Sequence, residues 1–338
     1  MTGDRERHET SPFLTARGPV GAIMAALVGV NALTWIWAWH AFQGQPALLG
    51  TALLAWVFGL RHAVDADHIA AIDNVVRKLV QDRRRAWDAG LFFALGHSAT
   101  VLLLCLGVIA VPSFAGIESL RQMADIWGTV FSATFLLLIA LANLLTLRRL
   151  WRARRGGFRD GDGFENPGGL MGRVLRPVQR LVGRGWHMLP VGFLFGLGFD
   201  TASEVALLIL TAQQAAAGLS PWAVLVFPAM FTAGMVLIDT ADSAVMTGAY
   251  GWAMRDPART ISYNIAVTGL SVFVALGVGG LELLGMFASH EGSTIARLPF
   301  VTWLLNALPF AGFVVVGALL LLWGIAVMAR RSRPGLAD

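Results

Sequence analysis

Residues 61–73 read RHAVDADHIAAID and lie inside the apolar run LLGTALLAWVFGLRHAVDADHIAAIDNVV, residues 48–76. Arg61, His62, Asp65, Asp67, His68 and Asp73 therefore sit in a segment otherwise suited to lipid. A charged side chain at the bilayer centre costs about 2.5–3.5 kcal/mol on insertion scales. A chain that carries three carboxylates there needs a compensating purpose, so this stretch decides both fold and function.

The surroundings set the class. The 338 residues are 56% hydrophobic and only 14% charged, with a mean hydropathy of +0.64, whereas a soluble domain carries about 25% charged residues. The run lengths predict an all-α polytopic membrane protein with eight spans, at 20–41, 48–78, 89–111, 126–147, 188–216, 221–253, 260–288 and 301–328. With the N-terminus in the cytosol, 23 of the 26 Lys and Arg residues fall on the cytosolic side, Arg121 and Arg297 fall outside, and Arg61 is intramembrane. This asymmetry places both termini in the cytosol. It also removes a nucleic-acid reading of the basic composition, since the basic residues occupy short loops. Trp35, Trp37 and Trp39 near the outer end of the first span suit an aromatic belt. Cys105 is the single cysteine, so no disulfide forms within the chain.

The expected organisation is a cytosolic tail over 1–19, four spans with the polar motif over 20–148, a basic cytosolic loop over 149–187, four spans over 188–328 and a tail over 329–338. The loop is rich in Gly and Arg and reads as a flexible connector. FGLRHAVDADHIAAI in the second span is weakly repeated as FGLGFDTASEVALLI in the fifth, which runs the opposite way. Matched motifs of opposite direction suggest an inverted repeat, as in many secondary transporters.

Residues 60–80 contain no Pro and no Gly, so the second span is expected to be a continuous helix. With His62 at 0°, Asp65 then falls near ~300° and His68 near ~240°, sharing one face, while Asp67 falls near ~140° and must face another helix, pair with a cation or mark local unwinding. Two imidazoles and a carboxylate on one face form half of a mixed nitrogen–oxygen metal site, suited to divalent late first-row ions. The bland alternative is a helix braced by internal ion pairs such as Arg61–Asp65. Other spans offer complements: His97 in FALGHSATV, Asp200 and Glu204 in GLGFDTASE, Asp239 and Asp242 in GMVLIDTADS, and Asn31 in the first span. Six carboxylates against Arg61 require either protons on some of them or a bound cation; a divalent-cation pathway uses both.

These stretches resemble, in order, the signatures of the nickel/cobalt transporter family of secondary permeases, from the first span to the end of the seventh. The resemblance implies high-affinity uptake of Ni2+ or Co2+ across a bacterial cytoplasmic (inner) membrane, with His62, Asp65, Asp67 and His68 essential and the first three spans shaping metal selection. Residues 149–186 lack the histidines that related exporters often carry, which favours import. On this reading the metal binds His62, Asp65 and His68, with His97 or Asp67 completing the site, while Asn31, Arg61, Asp200, Glu204, Asp239 and Asp242 support it or line the path. No cofactor is expected, only the transported ion. With no GxxxxGK[ST] loop, an ATPase activity of this chain is not expected either, and no obligatory ATPase subunit is predicted. The partners are a divalent ion and the bilayer. An efflux permease of the same fold is the alternative; an intramembrane metalloenzyme is disfavoured because HExxH is absent and the seven histidines are not clustered as a di-iron desaturase requires.

Overall fold

A computed structural model describes residues 17–110, 114–156, 182–198, 202–253, 257–288, 294–295 and 298–331. Among these, all regular structure is helical: α1 (Arg17–Ala41), α2 (Pro46–His62), α3 (Ala66–Gln81), α4 (Ala89–Ala110), α5 (Phe114–Gly156), a 3-10 turn (Gly185–His187), α6 (Met188–Phe195), α7 (Ala202–Ala216), α8 (Pro221–Val224), α9 (Val226–Ala253), α10 (Pro257–Ala288) and α11 (Pro299–Arg331). Among the described residues, five helices are long and apolar enough to cross a membrane, or seven if two bent pairs each count as one span. The chain is thus a multi-pass helical membrane protein.

The second predicted span is not one helix. α2 ends at His62, α3 begins at Ala66, and the two are bent by 48°. Between them Val64 N donates to Arg61 O and Asp65 N to His62 O, at 3.0 and 2.9 Å. These i→i−3 bonds tighten and end α2. Asp65 then occupies the N-cap of α3 in an extended conformation, φ −66° and ψ 149°. Asp is among the residues that leave a helix most readily at this position. The local unwinding that Asp67 hinted at is therefore real, and the single-face geometry expected of a continuous helix does not hold.

Three other expectations gain detail. The fifth predicted span divides into α6 and α7, separated by more than a helical turn. α5 carries the backbone helix on to Gly156, so the 149–187 loop starts as helix, and its far end is also ordered: Arg84 and Lys78 donate to Gly183 O and Val182 O at 2.6 and 2.9 Å. Of the Trp trio, Trp39 faces outward, whereas Trp35 and Trp37 pack against Trp56 and Trp222.

α9 is the hub, packing on α1, α2, α3 and α4. Small residues permit the close approaches that membrane bundles rely on: a Cβ added at Gly59 would lie 2.0 Å from Phe231 O, and one at Gly90 2.0 Å from Asp239 O. Two apolar cores result. One surrounds α3 with Phe93, Leu136, Met188 and Phe195, and the other joins α2 and α9 through Ala55, Phe227, Met230 and Phe231.

Arg77, counted with the cytosolic basic residues, is in fact buried in the bundle. Its Nη1 donates to Thr268 Oγ1 at 2.7 Å and its Nη2 to Asn74 Oδ1 at 3.1 Å, and Asn143 also donates to Asn74 Oδ1. Asp73, one turn earlier on α3, accepts from Tyr250 and, at 2.8 Å, from Ser271 Oγ. The network ties α3 to α5, α9 and α10, and Arg77 offsets the buried charge of Asp73. Removing Arg77 leaves Thr268, Asn74 and the nearby Asp73 without its guanidinium, at a cost of about 1–3 kcal/mol. Arg77→Met is expected to destabilise the protein by that order in reversible detergent unfolding, and Asp73→Leu in the same chain to restore a large part of the loss.

Candidate metal centre

Three imidazoles meet where the two cores adjoin. His62 closes α2, His68 lies on the first turns of α3, and His97 lies in α4. Their ring centroids are 4.5 to 4.9 Å apart, and one ring nitrogen of each falls within 4.8 Å of the others. In a straight helix, six residues separate His62 from His68 by about 9 Å of rise, too far for one ion. The break at 63–65 folds them together, with Phe231 against His62 and Phe93 against His68.

Carboxylates decide which nitrogen each ring offers. Asp65 Oδ2 lies 3.0 Å from His62 Nδ1, and Asp239 Oδ2 lies 3.3 Å from His68 Nδ1. An ionised carboxylate only accepts, so these contacts place the proton on Nδ1 and leave Nε2 with its lone pair. The pairing of a carboxylate with the far nitrogen is what fixes metal-binding imidazoles in tautomer and orientation. His62 Nε2 in turn lies 3.0 Å from His97 Nε2. Glu204 Oε1, brought in by the first turn of α7, lies 2.8 Å from His97 Nε2 and 3.5 Å from His62 Nε2. His62, His68, His97, Glu204 and Asp239 are each no more than 2% exposed.

His97 Nε2 is shared between Glu204 Oε1 and His62 Nε2, and by the same rule it carries a proton that an incoming ion must displace. His68 Nε2, His97 Nδ1 and Asp239 Oδ1 are buried and make no hydrogen bond; buried polar atoms rarely go unsatisfied unless a ligand, ion or water takes them up. Donors at about 2.0–2.1 Å from a shared ion that are 2.8–3.0 Å apart subtend about 90° at it. His62 Nε2 and Glu204 Oε1, 3.5 Å apart, would subtend about 117° at the same ion, so the angles span the octahedral and tetrahedral ranges.

The remaining expected residues are distributed around this cluster. Arg61 reaches Asp65 Oδ1 at 3.4 Å and Ser203 Oγ at 3.1 Å, so the ion pair of the bland reading coexists with the imidazole cluster. Asp65, expected among the metal ligands, contacts Nδ1 of His62, the ring nitrogen opposite Nε2. Asp67 is half-buried, and its charge reaches all three rings. Asp242 is half-buried with one buried, unpartnered oxygen, within electrostatic range of Asp239 and Asp73. Asn31 donates to Leu27 O and Ala233 O and accepts from Trp56 Nε1, at 2.9, 3.0 and 2.9 Å, joining α1 to α2 and α9. Asp200 lies outside the described residues. Sequence reasoning missed the Asp73–Arg77 network; its signal was a second set of polar residues at helical spacing past His68.

Fold and cluster together define a class: a multi-pass membrane protein that gathers late-metal donors between its helices. The chain belongs to the high-affinity nickel-transport protein family, whose model matches residues 48–329. It is similar to the hydrogenase nickel incorporation protein HupN of Bradyrhizobium diazoefficiens, with 45% identity over 353 residues covering 100% of this chain and 92% of that protein. The high-affinity nickel transport protein of Cupriavidus necator is 44% identical over 333 residues, 94% of this chain and 93% of that one. The cobalt transport protein NhlF of Rhodococcus rhodochrous is 39% identical over 336 residues, 95% and 94% of the two chains. No solved structure matches the chain significantly.

Loss of a carboxylate behind a metal-binding imidazole typically weakens metal affinity by about 10–100-fold. Asp239→Asn and Asp65→Asn are each expected to weaken Co2+ binding in that range, measured by calorimetric titration of the purified protein. Each should cost less than His68→Ala.

Proposed function

We propose that this chain is a secondary permease that takes up Ni2+ and/or Co2+, with His62 and His68 presenting Nε2, His97 presenting Nε2 once its proton has left, and Glu204 presenting Oε1 to the ion. The observation that carries the reading is the convergence of these buried atoms from four separate helices. Asp65 and Asp239 orient their rings, Arg61 balances charge when the site is empty, and Asp67 supplies attraction for the arriving cation. Asp242 and Asp200 belong to the path onward, and Asn31 braces the helices beside it. The names of the relatives support nickel and cobalt as cargo.

The full architecture in this reading has eight spans, the broken pair α6–α7 supplying the one that length and hydropathy leave uncounted. Both termini and the 149–187 loop face the cytosol, and the tails 1–19 and 329–338 flank two groups of four spans, 20–148 and 188–328. The membrane is the bacterial cytoplasmic membrane. The two halves form an inverted repeat. In support, the two matched stretches are both interrupted: α3 restarts at Ala66 and α7 at Ala202, one position apart in the alignment of the two motifs. Paired broken helices in opposite orientation are where secondary transporters bind their cargo.

The cycle follows from these parts. The hydrated ion enters from outside, exchanges water for the imidazoles and Glu204, and is released inward when the halves rock about the site. Inward movement of a divalent ion gains about 4.6 kcal/mol per 100 mV of membrane potential, enough for accumulation on the order of 10³-fold without ATP. His62→Ala, His68→Ala and Glu204→Gln are each expected to abolish saturable uptake of radioactive nickel and cobalt in cells lacking other transporters, with the protein still present in the membrane. Normal uptake by any correctly inserted histidine variant defeats the assignment. Transport into right-side-out vesicles and not into inside-out ones separates import from the efflux alternative.

A further inference from the structure

α11 carries no ionisable residue from Pro299 to Ala329, and among the described residues it gives no group to the metal cluster. It nonetheless touches the cluster's most consequential backbone. A Cβ placed on Gly312 would fall 1.6 Å from Val64 O, 2.8 Å from Val64 C and 3.1 Å from Asp65 C. These atoms are the break between α2 and α3. α11 is itself bent, by 65° between Ala307 and Phe310, two residues before Gly312. Ala311 and Val315 share the same face of α11 and pack on the core around α3. Val315 closes a small cavity against Ile69, Ala70, Asp73 and Asn74.

We propose that Gly312 is a positioning residue for the metal site: by letting α11 seat directly on the Val64 carbonyl, it fixes the break that aims His62. The inference rests on the metal-site reading given above. The break is held internally by two i→i−3 bonds, and the Asp65 side chain that follows it grips His62 Nδ1. An atom at 1.6 Å must retreat on the order of 2 Å to reach ordinary contact. Neither party is a pliant side-chain tip: one is helix backbone and the other a peptide carbonyl. The displacement therefore passes to Asp65 and so to the His62 ring, in a site whose donors tolerate about 0.5 Å of error.

The test compares Gly312→Ala with Gly317→Ala, which has open space around it on the same helix, and with Val315→Ala. Each full-length protein is reconstituted in nanodiscs, checked for a monodisperse profile and titrated with Co2+, following affinity and the d–d absorption that reports coordination geometry. Gly312→Ala is expected to weaken binding at least tenfold and to alter the d–d band, while Gly317→Ala behaves as the unsubstituted chain. Val315→Ala, which loosens the seat of α11 on α3 one turn beyond Gly312, should weaken binding at least threefold, and it decides the matter if Gly312→Ala fails to insert. Unaltered affinity and spectrum in both contact variants overturn the proposal while leaving the metal site intact. An unsubstituted chain that binds no Co2+ overturns the metal-site reading and this inference with it.

Discussion

A carboxylate at a helix N-terminus can cap the helix or hold something else, and Asp65 holds something else. It sits at the N-cap of α3 yet makes no side-chain cap bond; its oxygens go to His62 and Arg61. Much of the site depends on that choice. It holds Nδ1 of His62 while Nε2 meets His97, and the accompanying break lets histidines six residues apart share a point in space. α4 and α7 then need only deliver one imidazole and one carboxylate to that point. The first turn of α3 gains from Asp67 near its N-terminus, where negative charge is favoured, so local electrostatics and the architecture of the site agree.

Burial of so many ionisable groups is tolerable because they are divided between two neutralising neighbourhoods. Around the imidazoles, Asp65 and Asp239 find ring N–H donors and Arg61 stands nearby. Farther along α3, Asp73 finds two hydroxyls and a buried guanidinium. Each network is walled by one or both apolar cores, which exclude water and strengthen every electrostatic contact inside. The hydroxyl- and amide-rich neighbourhood also binds α3 to α5 and α10, so the helix that carries His68 is fixed at both ends.

Much was legible in one dimension. Hydropathy gave the membrane class, and the four polar stretches pointed to the helices that meet at the cluster. The break was hidden because no Gly or Pro marks it; the sole trace was the awkward angle of Asp67 on an ideal helix. The division of labour among carboxylates was also invisible. Asp65 lies next to the histidines in sequence and orients one, whereas Glu204, 107 residues from His97, approaches the Nε2 atoms themselves. Adjacency along the chain favours contact with the near side of a ring, and only packing decides what reaches the other. Arg77 was misplaced because it adjoins Lys78 and the basic run 83–85, and charge counting cannot separate the last turn of a buried helix from the loop that follows.

The hub position of α9 has a consequence for how the protein is made. His62, His68 and His97 all leave the ribosome before Glu204 and Asp239, and the His68–Asp239 contact spans 171 residues. At about 5–20 residues per second, the first helices wait on the order of ten seconds or more for the helix that packs against all of them. During that interval His62 already has Asp65 beside it, but His68 and His97 lack Asp239 and Glu204. The imidazoles and all the carboxylates around them are together only once α9 has inserted, so the polar cluster is among the last parts of the bundle to be completed.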